Sequence, residues 1–222
     1  MDRQRNPALT ARLPPALAGG RIEATALPGA GGLSLYLLNA DYPQWALDGD
    51  AVQALMETPL YWVFCWAAGQ VLASRILANP QWVAGRRVLD FGAGSGVVAI
   101  AAARAGAREV VACDLDPDAL AACEHNALLN GVSLVLADDF AAVAGPVDLV
   151  TAADVLYDRA NLPWLDRLCA RAPSVLLGDS RVRDFSHPAF RRLGEWEAST
   201  WPDLDESAAF RRVSLYAAGE LP

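Results

Sequence analysis

The sequence predicts a doubly wound α/β fold, with helices on both faces of a mostly parallel sheet, and two observations lead to that class. Between residues 85 and 180, short apolar segments alternate with helical patterns, as parallel strands and their crossover helices do. The strand segments are apolar on both faces, which is typical of strands that helices cover on both sides. The 222 residues are 54% hydrophobic, which is enough for one domain with a sizeable core.

Each element follows from its own segment. The predicted strands are RRVLDF (86–91), EVVACD (109–114), VSLVLAD (132–138), VDLVTAAD (147–154) and SVLLGDS (174–180), and the helices between them are SGVVAIAAARAG (95–106), PDALAACEHNALLNG (117–131) and RANLPWLDRLCARA (159–172). We expect Asp116, just ahead of Pro117, to cap the second helix. The final β-rich segments, GEWEASTW (194–201) and AFRRVSLYAAG (209–219), have no helix between them and predict a closing antiparallel hairpin.

The first part of the chain is less regular. Residues 1–60 contain many Gly and Pro, and we expect an irregular segment on the substrate side with one strand within LSLYLLNADYP (33–43). The α/β domain then covers 61–222. Apolar residues at helical spacing predict a helix over 61–79, which Asn79–Pro80 ends.

Composition excludes several classes of function. The net charge of −8 argues against binding to a nucleic-acid backbone and is compatible with a basic substrate. No apolar segment approaches the ~20 residues of a membrane span, and the N-terminus lacks the apolar region of a signal peptide, so we expect neither. We further expect a cytoplasmic protein and a monomer. The unpaired spacing of four cysteines predicts reduced thiols, and with only two histidines beside them we expect no metal site (Cys65, Cys113, Cys123, Cys169, His125, His187).

A glycine-rich loop follows the first strand of the alternation and predicts a ligand site. Asp90 ends the strand, and Gly92-Ala93-Gly94-Ser95-Gly96 follows as GxGxG, one residue shorter than the dinucleotide pattern GxGxxG. The loop contains no Lys or Arg and no GK[ST] follows it, so a triphosphate is a poor candidate. The ligand should therefore carry little phosphate.

Acidic residues at the ends of the next strands define that ligand further. Asp114 can accept hydrogen bonds from both ribose hydroxyls, and Asp138 or Asp139 can bind an adenine edge. S-adenosylmethionine fits this set, with Asp90 near its ammonium group, partly through water, and loop amides at its carboxylate. The alternative is a packing loop whose acids only cap helices.

Four segments resemble the motifs of class I, seven-β-strand, S-adenosylmethionine-dependent methyltransferases: VLDFGAGSG (88–96), ACDLDP (112–117), LADDF (136–140) and DLVTAADVLY (148–157). The resemblance covers roughly residues 60–220. It implies a Rossmann-like seven-stranded sheet of order 3-2-1-4-5-7-6, with strand 7 antiparallel.

A narrower resemblance concerns YWVFCWAAGQVLASRIL (61–77), DVLYD (154–158) and GDSRVRDF (178–185). These segments are similar to the protein-lysine methyltransferases that act on the electron transfer flavoprotein β-subunit, although Ser180 stands where that group has Pro and both Arg181 and Arg183 are candidates for its Arg. The resemblance implies that Trp66 lies over the cofactor and that Leu115 also contacts it; the alternative for Trp66 is an ordinary buried aromatic residue. Tyr61 and Trp62 line either the substrate entrance or the core.

The resemblance also implies the chemistry. A lysine amine with an ordinary pKa of about 10.4 is neutral in only about one molecule in a thousand near pH 7.4, so the site must select or deprotonate it. We hypothesise that Asp154 or Asp158 orients the amine and that Tyr157 walls the channel; alternatively, Asp158 caps the helix that begins near Arg159. The sequence thus predicts a protein-lysine N-methyltransferase, with small-amine methylation or a non-catalytic cofactor-binding module as alternatives.

Overall fold

A seven-stranded sheet forms the centre of the computed structural model, which describes residues 5–43, 47, 49–57, 59–203 and 207–221. The strands of the chain are β1 (Ile22–Ala26), β2 (Ser34–Leu38), β3 (Arg87–Phe91), β4 (Glu109–Cys113), β5 (Val135–Ala137), β6 (Leu149–Ala153), β7 (Val175–Asp179), β8 (Phe190–Glu197) and β9 (Arg212–Ala218). The central sheet has the order β5-β4-β3-β6-β7-β9-β8. Strands β3 to β7 are parallel, and β9 runs antiparallel to both β7 and β8. Both the predicted strand order and the predicted closing hairpin are confirmed.

The α-helices of the described residues are α1 (Pro7–Thr10), α2 (Gly49–Glu57), α3 (Ala67–Ala78), α4 (Val97–Arg104), α5 (Pro117–Leu129) and α6 (Trp164–Arg171). Asp116 caps α5 as predicted, since its side chain accepts the N–H of Asp118. None of the helices in this described part of the chain is long and apolar enough to cross a membrane.

Alternation along each strand divides the core into two layers. On β3, Val88 faces the core that contains α3 and α4, whereas Leu89 faces the core that contains α6. Because neighbouring side chains point to opposite faces, strands with no polar face need helices on both sides, as the sequence predicted. The parallel strands consequently end at one common edge, where the candidate site lies.

The N-terminal segment is more ordered than we expected. Strands β1 and β2 form an antiparallel pair in which Ile22 lies opposite Leu38. The expected strand is β2, but β1 was not predicted: IEATA does alternate apolar and polar residues, but it is short, two of its apolar residues are alanines, and it directly follows the Gly- and Pro-rich segment PPALAGG. Leu35 and Leu37 of β2 are fully buried in the core beside α3 and α4. The division of the chain near residue 60 stays a prediction.

The predicted helix over 61–79 is wrong in its first third. Residues Tyr61–Val63 form a 3-10 turn and α3 begins only at Ala67, although it ends before Asn79 as predicted. The cause is a long-range pairing: Cys65 and Trp201 exchange two backbone hydrogen bonds of 2.7 and 2.8 Å. This pairing keeps the segment before α3 extended and leaves Trp66 at the N-cap position of the helix.

Candidate active site

The glycine loop between β3 and α4 lies at the carboxyl edge of the sheet, and its backbone is left-handed at all three glycines. The φ angles are +68° at Gly92, +52° at Gly94 and +79° at Gly96, a region that side chains disfavour. A Cβ atom at Gly92 would lie 2.9 Å from Val155 Cγ1, and one at Gly96 would lie 3.0 Å from Cys123 Sγ. These two glycines are therefore required by packing.

Gly94 differs from its neighbours because it faces open space. A Cβ atom built there meets no atom of the described residues within 4 Å. Ala93, just before it, is almost fully buried. The loop thus presents its middle glycine to open space, which lets a ligand approach the backbone closely.

Asp114 connects this loop to the end of β4. Its Oδ2 accepts the N–H of Gly94 at 2.8 Å and its Oδ1 accepts the N–H of Asp116 at 3.0 Å. A carboxylate offers about four acceptor positions, so Asp114 keeps acceptor capacity for a ribose hydroxyl. Partial burial raises the pKa of Asp114. Leu115 beside it is 83% exposed, an unusual position for leucine unless a ligand or partner covers it.

Asp138 and Asp139 follow β5 at the same edge, and both are exposed. Asp139 Oδ1 accepts the N–H of Ala141 at 2.8 Å, which closes a local turn. The backbone N–H of Asp114 donates to Ala137 just before this pair, at 3.1 Å. The two acids therefore lie near Asp114, and their contact with an adenine stays a prediction.

Asp90 is only 2% exposed and is held by two protein donors. Thr151 donates its hydroxyl to Oδ1 at 2.7 Å, and Ala99 donates its backbone N–H to Oδ2 at 3.1 Å. Since the N-cap residue Gly96 has no side chain, Asp90 supplies the cap of α4. Burial raises its pKa to about 7. The predicted contact between Asp90 and the cofactor's ammonium group stays a prediction.

Asp154 occupies the end of β6 and has a left-handed backbone, with a φ of +52° that no other described non-glycine residue shares. It is 8% exposed. Its Oδ1 accepts both the N–H and the hydroxyl of Ser180 at 2.8 Å each, and its Oδ2 accepts the N–H of Ala68 at 3.1 Å. Asp154 thus joins the ends of β6 and β7 to the first turn of α3.

Tyr61 packs against two aromatic side chains from the segments next to Ala68 and Asp154, and we refer to Tyr61, Trp66 and Tyr157 as the aromatic rim. The rings of Tyr61 and Tyr157 lie 5.2 Å apart between centroids, and those of Tyr61 and Trp66 lie 5.9 Å apart. Trp66 also donates its indole N–H to the carbonyl of Tyr61 at 2.9 Å. Tyr61 is 39% exposed and Tyr157 is 56% exposed, so the rim faces solvent. Trp62, in contrast, is fully buried and belongs to the core.

The structure places Arg181 and Arg183, the two candidates for the arginine of the resembled pattern, in different surroundings. The guanidinium carbon of Arg181 lies 5.2 Å from the ring centroid of Trp66 and 4.5 Å from that of Phe210, within the range of cation–π contact. Arg183 lines a separate cavity of about 530 Å³ between residues 183–187 and strands β8 and β9. Arg181 is therefore the arginine of the aromatic rim.

Asp158 has the capping role that we considered as its alternative. It is exposed, and its Oδ1 accepts the N–H of Ala160 at 2.9 Å. This hydrogen bond begins the 3-10 turn Arg159–Asn161 ahead of α6. The geometry consequently favours Asp154 over Asp158 as the carboxylate at the aromatic rim.

Sequence reasoning missed the residues that support the site. Thr151, Ser180 and Asn126 are all buried and bond to Asp90, Asp154 and the carbonyl of Ser95, respectively. Two of them could have been noticed in the sequence. Thr151 is a hydroxyl residue within the otherwise apolar strand LVTAA, and Ser180 stands where the resembled pattern has Pro. Asn126 could not, because a polar residue in a helix is usually exposed.

Known proteins share this fold and these motifs. The family model of ribosomal protein L11 methyltransferase (PrmA) matches residues 76–158. The electron transfer flavoprotein beta subunit lysine methyltransferase of Xenopus laevis is 41% identical over 145 residues, covering 60% of this chain and 58% of that protein. Its counterpart from Danio rerio is 37% identical over 140 residues, covering 60% and 54%. The chain thus matches less than two thirds of the length of these relatives.

A solved structure with a similar fold is magnesium protoporphyrin IX methyltransferase from Synechocystis PCC 6803 with bound SAM. It aligns with a TM-score of 0.51 and 21% identity, over 68% of this chain and 79% of that one. With the strand order above, this likeness defines the class: the chain has the class I S-adenosylmethionine-dependent methyltransferase fold. Within that class, its sequence is similar to lysine methyltransferases of the electron transfer flavoprotein β-subunit.

S-adenosylmethionine is the cofactor of this class, and the residues present fit it. Gly94 leaves its backbone open to close approach and Asp114 keeps acceptor capacity beside it, and we refer to the glycine loop and the side chains that would hold a cofactor beside it as the cofactor cradle. The loop from Gly92 to Gly96 contains no cationic side chain that would call for a phosphate. The donor and acceptor set suits a ribose and an amino-acid group, as the sequence predicted.

Proposed function

We propose that this protein is an S-adenosylmethionine-dependent N-methyltransferase that acts, as a monomer, on a lysine side chain of a protein. The observation that carries the proposal is the contact between the two halves of the site. Val155, next to Asp154, packs so closely on Gly92 that a Cβ there would lie 2.9 Å from Val155 Cγ1. The cofactor cradle and the aromatic rim are therefore neighbours at one edge.

The residues that would hold the cofactor are those of the cradle: Asp114 for the ribose, Asp138 and Asp139 for the adenine, Leu115 and Trp66 as apolar cover, and Asp90 with the amides of the glycine loop for the amino-acid group. When bound, the cofactor supplies an activated methyl group on a sulfonium. The protein's part is to position the acceptor for an in-line displacement.

Asp154 is suited to orient the acceptor amine. Three of its roughly four acceptor positions are filled by Ser180 and Ala68, and about one remains on Oδ2. We propose that this position accepts an N–H of the lysine amine, while Tyr157 and Tyr61 enclose the side chain. Desolvation beside the positive sulfonium lowers the pKa of the amine, whereas the Asp154 carboxylate opposes that shift. The part of Asp154 is therefore to orient the amine and to pass its proton on to water.

The exposure of the rim supports a protein over a small amine as the acceptor. Tyr61 and Tyr157 are substantially open to solvent, whereas a small-molecule pocket would bury most of its ligand. The net charge of −8 suits a basic, lysine-bearing surface. The names of the similar proteins indicate the electron transfer flavoprotein β-subunit as the first acceptor to test.

The test is transfer of a labelled methyl group from S-adenosylmethionine to that β-subunit, followed by identification of methyllysine. Two matched variants decide between the carboxylates: we expect Asp154→Asn to lower kcat by about 10²-fold or more, whereas Asp158→Asn keeps it within a few-fold. Calorimetry should show unchanged cofactor affinity in both. Label found only in small molecules would support the small-amine alternative, and cofactor binding without any transfer would support a non-catalytic module.

A further inference from the structure

The two oxygens of Asp154 are held very differently. Ser180 supplies two donors to Oδ1, its backbone N–H and its hydroxyl, each at 2.8 Å. Oδ2 receives one N–H, from Ala68 at 3.1 Å. Each carboxylate oxygen accepts about two hydrogen bonds, so Oδ1 is filled and Oδ2 keeps about one position. Ser180 therefore decides which oxygen can receive a ligand.

The pair is shielded from water, so its hydrogen bonds are consequential. Asp154 is 8% exposed and Ser180 is 7% exposed. A buried carboxylate is costly unless donors stabilise its charge, and hydrogen bonds to charged groups are stronger than neutral ones. Ser180 directly follows β7, whose end pairs with β6 through Ala153 and Gly178, so its backbone is fixed by the sheet.

We propose that Ser180 is a positioning residue of the acceptor site, which fills Oδ1 of Asp154 and thereby directs the remaining acceptor position of Oδ2 toward the incoming amine. This inference rests on the proposed function and adds to it a residue that makes no contact with the reacting atoms. Asp154 also has a left-handed backbone, and in this conformation its carboxylate reaches both Ser180 and Ala68.

Charged and titratable groups around the pair set the pH at which it operates. Burial raises the pKa of Asp154, and the hydrogen bonds from Ser180 oppose that rise more than the nearby Arg181 does. Asp179, at the end of β7, and Asp154 repel each other when both are charged. Cys65, in the segment before α3, also lies close enough for the charge of Asp154 to raise the pKa of its thiol. Removing the hydroxyl of Ser180 should therefore raise the pKa of Asp154 further.

The experiment compares Ser180→Ala, Ser180→Thr and Ser174→Ala with the wild type. Ser174 is an equally buried serine at the other end of β7, where its hydroxyl donates to Glu220 O at 2.7 Å. We expect the acid limb of kcat/KM for methylation of the electron transfer flavoprotein β-subunit to move up by about one pH unit in Ser180→Ala. Ser180→Thr, which keeps the hydroxyl, should restore the limb, and Ser174→Ala should leave it in place.

A second measurement does not depend on turnover. Carboxyl ¹³C NMR, with the Asp154 signal assigned by its loss in Asp154→Asn, should show a pKa for Asp154 about one unit higher in Ser180→Ala than in the wild type. An unchanged Asp154 pKa in Ser180→Ala, or an equal shift in Ser174→Ala, would overturn the inference. If the wild type methylates no lysine at all, the proposed function fails, whereas the titration still decides the role of Ser180.

Discussion

At the scale of single residues, Gly94 and Gly131 both have a left-handed backbone, and comparing them distinguishes an effect on ligand binding from an effect on folding. Gly94 has a φ of +52° and Gly131 has a φ of +69°, and a Cβ at either would meet no described atom within 4 Å. An alanine at either position therefore carries a similar backbone penalty, on the order of 1–2 kcal/mol, without a steric clash. Only Gly94 belongs to the cradle; Gly131 follows α5 at the opposite edge of the sheet.

We therefore expect Gly94→Ala and Gly131→Ala to lower the free energy of unfolding by similar amounts, about 1–2 kcal/mol each. Only Gly94→Ala should weaken S-adenosylmethionine binding, by 30-fold or more, because its methyl group would stand between the cofactor and the backbone of the loop. Urea unfolding and calorimetry measure the two quantities. Equal affinities in the two variants would contradict the assignment of the cradle.

At the scale of elements, Asn126 of α5 links the N-terminal β-pair to the glycine loop. It is fully buried; its Oδ1 accepts the N–H of Tyr36 at 2.6 Å, and its Nδ2 donates to the carbonyl of Ser95 at 2.9 Å. One turn later, Asn130 accepts the N–H of Ser34 at 3.2 Å and donates to the carbonyls of Ser34 and Asn126, each at 2.7 Å. Both asparagines thus hold β2, and Asn126 also holds the loop.

This difference gives a prediction about α5. Asn126→Ala leaves two buried backbone groups without partners and should cost about 2–4 kcal/mol of stability, and Asn130→Ala somewhat less because it is less buried. The Asn126 variant should in addition lose several-fold in cofactor affinity, while Asn130→Ala keeps it. Denaturant unfolding and calorimetry on both variants test this, and a parallel loss of affinity in both would show that β2 itself matters to the cofactor.

The elements also show which parts of the structure the sequence can predict. The strands, their helices and the glycine loop were predictable because they follow from local patterns: apolar strand segments that alternate with helical ones, and three glycines between Asp90 and α4. The strand order was implied by the resemblance of four motifs to class I methyltransferases. The extended segment at Cys65 was not, since its hydrogen bonds go to Trp201, far away in the chain. The donors Ser180 and Asn126 were missed for the same reason, because a long-range partner makes them important.

Buried carboxylates at the carboxyl edge affect the stability of the whole molecule. Burial raises the pKa of Asp90 to about 7 and that of Asp179 to about 6, and it also raises those of Asp114 and Asp154. A folded-state pKa above the unfolded value means that the native protein binds more protons between the two. The associated stability is therefore fully present below pH ~4 and is lost as the pH rises through the folded values.

Asp179 provides the cleanest test of this pH dependence. Its Oδ2 accepts the N–H groups of Arg181 and Val182 at 3.0 and 2.6 Å, while its Oδ1 is buried without a hydrogen-bond partner among the described residues. In Asp179→Asn, the amide oxygen can keep both bonds and the amide nitrogen takes the unpartnered position, so we expect the variant to fold. Its stability relative to the wild type should increase by about 2–2.5 kcal/mol between pH 4 and pH 8, since each unit of pKa shift corresponds to about 1.4 kcal/mol. Urea unfolding across that range measures the difference in free energy of unfolding between the variant and the wild type. A difference that stays constant with pH would show that folding does not raise the pKa of Asp179.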